Sequence, residues 1–315
     1  MKIFIEVPTW LGDATMATPA IENLLITYPR AKLTVFGSFL ATRLFVHHPS
    51  VEEIIVDESK KDGFRYAKLY RYAKAMGSFD LAMSFRRNFT TKFLLFFINA
   101  KDKYHYQRYT TQALHQVIRY NDFLNQSLGV ETTPSQLKIH TTTQQKSRSK
   151  PLLGINAGAT YGSAKRWYPK EFAVCAVELS QKYDILLFGS PSEVEMVDDI
   201  EYIISAKGVK NYQNLAGKTS VEELITHIAS LDLFITNDSG PMHLAAAFGI
   251  PTVAIFGPTK HSETNQWMNE HEMIVSKNLE CSPCMKRSCP LKHHECMKLI
   301  TADMVVKRIK QRGLF

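Results

Sequence analysis

Short apolar runs separated by longer amphipathic stretches recur along the chain. Lys2-Ile3-Phe4-Ile5-Glu6-Val7 predicts a first strand that Pro8 stops, and Gly12-Asp13 opens a helix whose Met16, Ile21, Leu24 and Leu25 fit a 3.6-residue period. Residues 31–37, 51–56 and 79–85 predict further strands, with a short helix at 41–47 and a basic helical stretch at 66–76. Across 111–128, Ala113, Val117, Tyr120, Leu124 and Leu128 line one helix face. Residues 141–151 then hold no large apolar side chain, the composition of a solvated linker. Beyond it the rhythm restarts: strands at 152–155, 184–188, 231–236 and 252–256, helices at 169–182 and 241–248, and a helical tail at 302–312. Strands alternating with helices predict parallel sheets built from βαβ units. The expected architecture is α/β: two doubly wound Rossmann-like domains, 1–146 and 147–315, with an interdomain ligand cleft.

Composition agrees with that picture. At roughly 150 residues per domain, 315 residues make about two domains. With 45% apolar and 22% charged residues, a disordered, collagenous or disulfide-scaffold chain is excluded. The net charge of +8 divides unevenly. Through Lys150 there are 21 basic and 12 acidic residues, a balance of +9; from Pro151 onward there are 17 and 18, a balance of −1. The first half is therefore the one expected to meet an anionic partner. Glu6 interrupts the only early apolar run, which argues against a secretory signal, and the run at 93–100 is too short to span a bilayer. A cytoplasmic protein with reduced thiols is the expectation.

Three turns at predicted strand ends carry candidate chemistry. In Trp10-Leu11-Gly12-Asp13, the carboxylate is either a helix-dipole partner or a base taking a proton from an acceptor hydroxyl. In Asn156-Ala157-Gly158-Ala159-Thr160, small residues let backbone close on a ligand, Thr160 offers a hydroxyl, and Lys165 offers a point charge for phosphate. In Thr236-Asn237-Asp238-Ser239-Gly240-Pro241-Met242-His243, a strand ends and a helix begins at a proline, so exposed N–H groups suit a diphosphate. Neither a P-loop nor a G-x-G-x-x-G fingerprint is present.

Those blocks carry a resemblance. T-N-D-S-G-P-M-H-L-A-A-A followed by V-A-I-F-G-P-T, N-A-G-A-x-x-G-S-A-K-R-W, and the opening P-T-W-L-G-D-A-x-M-A-x-P-A resemble the ADP-heptose:lipopolysaccharide heptosyltransferases, glycosyltransferase family 9, and within it the heptosyltransferase II branch. The resemblance implies a two-domain GT-B fold and an inverting, metal-independent transfer with no cofactor. It implies ADP-L-glycero-β-D-manno-heptose as donor and the first heptose of a heptosyl-Kdo-lipid A acceptor, at the cytoplasmic face of the inner membrane. On it, Asp13 matches the family's proposed general base, Thr160 and Lys165 match the diphosphate contacts, and Glu193 falls near the ribose-binding position. Asp238, Ser239, Gly240 and His243 match the donor-binding turn, with Lys165 also serving catalysis. Tyr161 departs from a Thr found in some members and is left out. The resemblance also allows the helical tail to return to the first domain.

Arg86, Arg87 and Lys92 are candidates for acceptor recognition, and Lys60, Lys61, Arg65, Lys68, Arg71 and Lys74 for attraction to an anionic membrane surface. Cys281, Cys284, Cys289 and Cys296, with His293 and His294 nearby, have the density of a structural zinc site but not the regular spacing of one. Reduced thiols in an irregular loop, with no metal, are the expectation. Heptosyltransferases I and III and other GT-B transferases are the enzymatic alternatives. A basic Cys/His nucleic-acid-binding protein is the non-enzymatic one. It is disfavoured because the cysteines lie in the neutral half.

Overall fold

The computed structural model describes residues 1–141 and 148–315, which fall into two compact units; the expected division at 146 lies outside the described residues. The first unit runs β1 (Lys2–Glu6), α1 (Leu11–Met16), α2 (Thr18–Thr27), β2 (Lys32–Gly37), α3 (Phe39–Thr42), β3 (Val51–Val56), α4 (Arg65–Ala75), β4 (Ser78–Ser84), α5 (Phe89–Phe97), β5 (Asn99–His105) and α6 (Gln116–Leu128). Its strands form one parallel sheet in the order β3-β2-β1-β4-β5. β1 lies at the centre, and Ile3, Phe4 and Ile5 are fully buried, as a strand covered on both faces requires.

The second unit runs β6 (Leu152–Asn156), α7 (Pro169–Leu179), β7 (Asp184–Phe188), α8 (Val194–Ala206), β8 (Tyr212–Asn214), α9 (Val221–Ala229), β9 (Leu233–Asn237), α10 (Gly240–Ala247), β10 (Thr252–Phe256), α11 (His261–Thr264), β11 (Glu272–Ser276), α12 (Glu295–Lys298) and α13 (Ala302–Gln311). The sheet order is β11-β10-β9-β6-β7-β8, again parallel throughout. Counted from β6 as the first strand, this is the 3-2-1-4-5-6 order of the dinucleotide-binding fold. Its topological switch point lies between β6 and β9, so the loops after Asn156 and Asn237 flank the natural ligand crevice.

Two sequence expectations are corrected. The helix expected over 111–128 begins only at Gln116: His115 caps it, accepting from the Val117 N–H through Nδ1, and the preceding residues are irregular. The tail helix α13, allowed to return to the first domain, packs on α7 and on β10 and β11, with Val305, Val306 and Ile309 in the core of the second unit. Its apolar stripe, at helical spacing, packs within the second unit. Strand β5 and helices α5, α8 and α9 had no counterpart in the sequence reading. β5 was hidden because Asn99-Ala100-Lys101-Asp102-Lys103-Tyr104-His105 is mostly polar, the composition of an edge strand guarded by lysines.

Candidate active site

In the second unit, two asparagines at the carboxyl ends of neighbouring strands fix the ligand loops. Asn237 donates from Nδ2 to the Ala157 carbonyl (2.6 Å) and accepts at Oδ1 from the Trp167 N–H (3.0 Å), holding both ends of the loop that carries Lys165. Asn156 donates to the Gly158 carbonyl (3.2 Å) and lies 3.3 Å from the Thr236 and Ser239 hydroxyls. Both amides are buried, so their hydrogen bonds specify loop geometry rather than merely solvate it. Trp167 adds a second pin, donating from its ring to the Ile300 carbonyl at 2.8 Å.

Inside that frame the charges converge. The Lys165 ammonium lies 2.5 Å from Oδ2 of buried Asp238, and the Thr259 hydroxyl donates to the same oxygen at 2.5 Å. Lys165 also sits 4.9 Å over the Tyr161 ring, whose centroid is 5.2 Å from the Arg287 guanidinium carbon. Thr160 is exposed on the same loop. Ser239 and Gly240 stand where α10 begins, at the positive end of its dipole, and His243 is buried within that turn; the Met242 N–H turns back to the Ser239 carbonyl at 3.2 Å. The second unit thus assembles Lys165, Asp238, Ser239, Gly240 and His243 around the switch point.

Glu193 is buried after β7 and closes a capping box, accepting from the Ser190 N–H at 2.9 Å and the Ser190 hydroxyl at 2.8 Å. Its other oxygen is 3.9 Å from the Arg166 guanidinium. Gly158 is a glycine for a reason: a Cβ there would overlap the Glu193 carboxylate. That contact joins the loop after β6 to the one after β7.

The first unit offers a carboxylate of a different kind. Asp13 lies in the first turn of α1, beyond the carboxyl end of β1, and is partly exposed. Its charge reaches Tyr120 on α6, whose phenol is pushed upward by burial and further by Asp13. Glu6, at the end of β1, is 1% exposed. It accepts from the Ser84 hydroxyl (2.5 Å), the Thr91 hydroxyl (2.8 Å) and the Arg86 guanidinium (2.9 Å). Burial raises its carboxyl above the usual range although Arg86 and the two hydroxyls oppose that. Arg86, a candidate for acceptor contact, therefore spends its charge on Glu6, with its side chain 9% exposed. Arg87 and Lys92 are exposed on the same edge.

Sequence reasoning missed Asn156, Asn237, Tyr161, Thr259 and Glu6. Thr259 closes the V-A-I-F-G-P-T block, which was legible, but its partner Asp238 is 21 residues away. The four clustered cysteines, Cys281, Cys284 and Cys289 in the loop and Cys296 in α12, are free and, with His293 and His294, line one cavity of about 20 Å³. The Cys296 thiol is pushed up to about 11 by burial and by neighbouring Cys284, Cys289 and Cys281. Among the described residues, the group whose metal-ligating atoms all lie within 4.8 Å of one another is Glu22, His48 and His140, not the cysteines. There the Ser50 N–H donates to His48 Nδ1, so Nε2 carries the proton and donates to Glu22. A protonated Nε2 makes this a hydrogen-bonded carboxylate rather than a ligand set. The cysteine loop instead buttresses the donor loop: the Ala164 N–H donates to the Arg287 carbonyl (3.0 Å) and His294 Nε2 meets the Ala164 carbonyl (2.8 Å).

Two parallel doubly wound units, with a cation and a helix start at the switch point of the second, define a two-domain α/β protein of the nucleotide-binding class. The profile of glycosyltransferase family 9 (heptosyltransferase) matches residues 78–295, and the chain belongs to that family. It is 40% identical over 316 residues to the lipooligosaccharide heptosyltransferase 2 of Campylobacter jejuni, covering 98% of each chain. Among solved structures, Escherichia coli ADP-heptose lps heptosyltransferase II aligns over 99% of this chain and 98% of that one, at 21% identity and a TM-score of 0.81. An Escherichia coli heptosyltransferase with ADP aligns over 99% of each, at 17% identity and a TM-score of 0.79.

Proposed function

We propose that the chain transfers L-glycero-D-manno-heptose from ADP-heptose to the first heptose of the lipopolysaccharide inner core, with inversion. The observation that carries this reading is the 40% identity to a lipooligosaccharide heptosyltransferase 2 over 98% of each chain. In the reaction the acceptor hydroxyl attacks the anomeric carbon as the bond to the ADP oxygen breaks. ADP leaves with the bonding electrons and Asp13 takes the acceptor's proton. Lys165, the first turn of α10 and the Ser239 hydroxyl neutralise the charge growing on the diphosphate, with Thr160 and His243 as further contacts. Lys165 is held at Asp238, which fixes its ammonium beside the start of α10. Glu193 takes the ribose hydroxyls, and Arg87 and Lys92 the acceptor's phosphates. No metal ion and no cofactor takes part in this scheme.

The acceptor is a phosphorylated glycolipid, which gives the +9 of residues 1–150 a use at the cytoplasmic face of the inner membrane. Among the described residues no helix is long and apolar enough to cross a membrane, so the association proposed is peripheral. The decisive experiment compares transfer from ADP-heptose to a mono-heptosylated acceptor and to a Kdo-only acceptor. Turnover of the first alone is expected; turnover of the second alone would assign heptosyltransferase I activity instead.

A further inference from the structure

The first unit carries an apolar surface that the chemistry above does not use. Helices α4 and α5 lie side by side and leave an open groove of about 450 Å³, lined by Phe64, Tyr66, Ala67, Tyr70, Phe89 and Phe93. The rings meet edge to face in a continuous strip, Tyr66 with Phe93 at 4.9 Å, Phe93 with Phe97 at 4.9 Å and Tyr70 with Phe97 at 5.0 Å. At its margins Phe64, Phe89 and Phe96 are 72%, 70% and 75% exposed. An isolated exposed phenylalanine needs no explanation, but a contiguous aromatic strip on a water-soluble surface marks an interaction site.

Its surroundings identify the occupant. Residues 60–100 hold nine basic and two acidic side chains. One of those acids, Asp80, is taken by Lys101 at 2.7 Å. Lys60, Arg71 and Lys74 are exposed around α4. Rings that bury in hydrocarbon, flanked by long cationic side chains that reach headgroup phosphates, are the composition of a surface lying in a bilayer interface. Position agrees. In parallel α/β units the helices run against the strands, so the starts of α4 and α5 lie toward the carboxyl edge of the sheet, where Asp13 and Arg87 also stand.

We infer that the α4–α5 aromatic groove is the membrane-docking surface of this enzyme, seated in the interface of a bilayer rich in anionic phospholipid. The inference deepens the proposed function, because a lipid-anchored acceptor has to reach the first unit from the bilayer. Docking through rings as well as charges also predicts binding that salt weakens but does not abolish.

The test uses the full chain and sedimentation with vesicles of phosphatidylethanolamine and phosphatidylglycerol. The triple variant Phe64→Ser, Phe89→Ser, Phe96→Ser is expected to lower vesicle binding by about tenfold or more. Its melting temperature and its kcat/KM on a deacylated, water-soluble acceptor are expected to stay near wild type, while transfer to acceptor embedded in vesicles falls with binding. A second variant, Lys60→Gln, Arg71→Gln, Lys74→Gln, is expected to lose the preference for anionic over phosphatidylcholine vesicles. Wild-type-like vesicle binding by the phenylalanine variant overturns the inference and assigns the groove to a protein partner. Vesicle binding that depends on the groove, in a protein that turns over no heptosyl acceptor, would overturn the proposed reaction and leave the docking surface standing.

Discussion

Asp13 and Lys165 divide the proposed displacement into proton removal and leaving-group stabilisation, and each makes a separate demand on its surroundings. Asn in place of Asp13 keeps the shape of the first turn of α1 but cannot accept the proton. Asp13→Asn is expected to lower kcat by about 10²–10⁴-fold while isothermal titration with ADP-heptose gives nearly unchanged affinity; near-normal turnover would remove Asp13 from the base role. Lys165 is more entangled, because its ammonium neutralises buried Asp238. Lys165→Ala is expected to cut donor kcat/KM by about 10²-fold and also to lower the melting temperature, since an unpaired buried carboxylate is costly. Adding Asp238→Asn is expected to recover much of the lost melting temperature and none of the rate. Recovery of both would mean that Lys165 serves the fold alone. Neither asparagine of the switch point was visible as functional in the sequence, because their work is done against backbone carbonyls of another loop.

The elements show where periodicity succeeds and where it does not. Strands β3, β7 and β10 match the sequence reading residue for residue, each a short run rich in aliphatic or β-branched residues bounded by turns. α8 and α9 escaped it because their apolar positions are interleaved with acids that face solvent, and β5 because it is an edge. The segment at 137–140 leading into the linker was also opaque. It is fastened to α2 by Glu22, which meets His48 and His140 at 3.1 Å and Lys138 at 3.0 Å. Partial burial pushes the Glu22 carboxyl up, but these three partners outweigh it and hold it at about 2, against 4.5 when free. A lowered folded-state pKa stabilises above the unfolded value, so this contribution is present above about pH 4.5 and is lost as pH falls toward 2. Glu22→Gln is expected to cost about 1 kcal/mol at pH 7 after solvent screening, with the gap to wild type closing in urea melts taken toward pH 3. A gap independent of pH would assign the loss to packing.

For the whole molecule, the uneven charge and the repeated βαβ rhythm are two views of one division of labour. In the proposed reaction the neutral second unit takes the nucleotide through a few placed groups, so ADP is expected to raise the melting temperature by mass action, and oligonucleotides to leave it unchanged. A comparable rise with oligonucleotides would revive the nucleic-acid reading. By itself the amino-acid sequence determined the α/β class, the presence of two units, the three glycine-bearing turns and the family, because hydrophobic period, turn chemistry and motif spacing are local properties of a chain. Only the tertiary structure decided the rest. It showed that Arg86 is spent on Glu6, that Lys165 is held by Asp238 with Thr259, that the cysteine loop supports the donor loop, and that aromatics of α4 and α5 form one strip. Each of these joins residues that pattern alone leaves apart, and burial sets their energies: a charge removed from water must find its partner wherever the fold brings one.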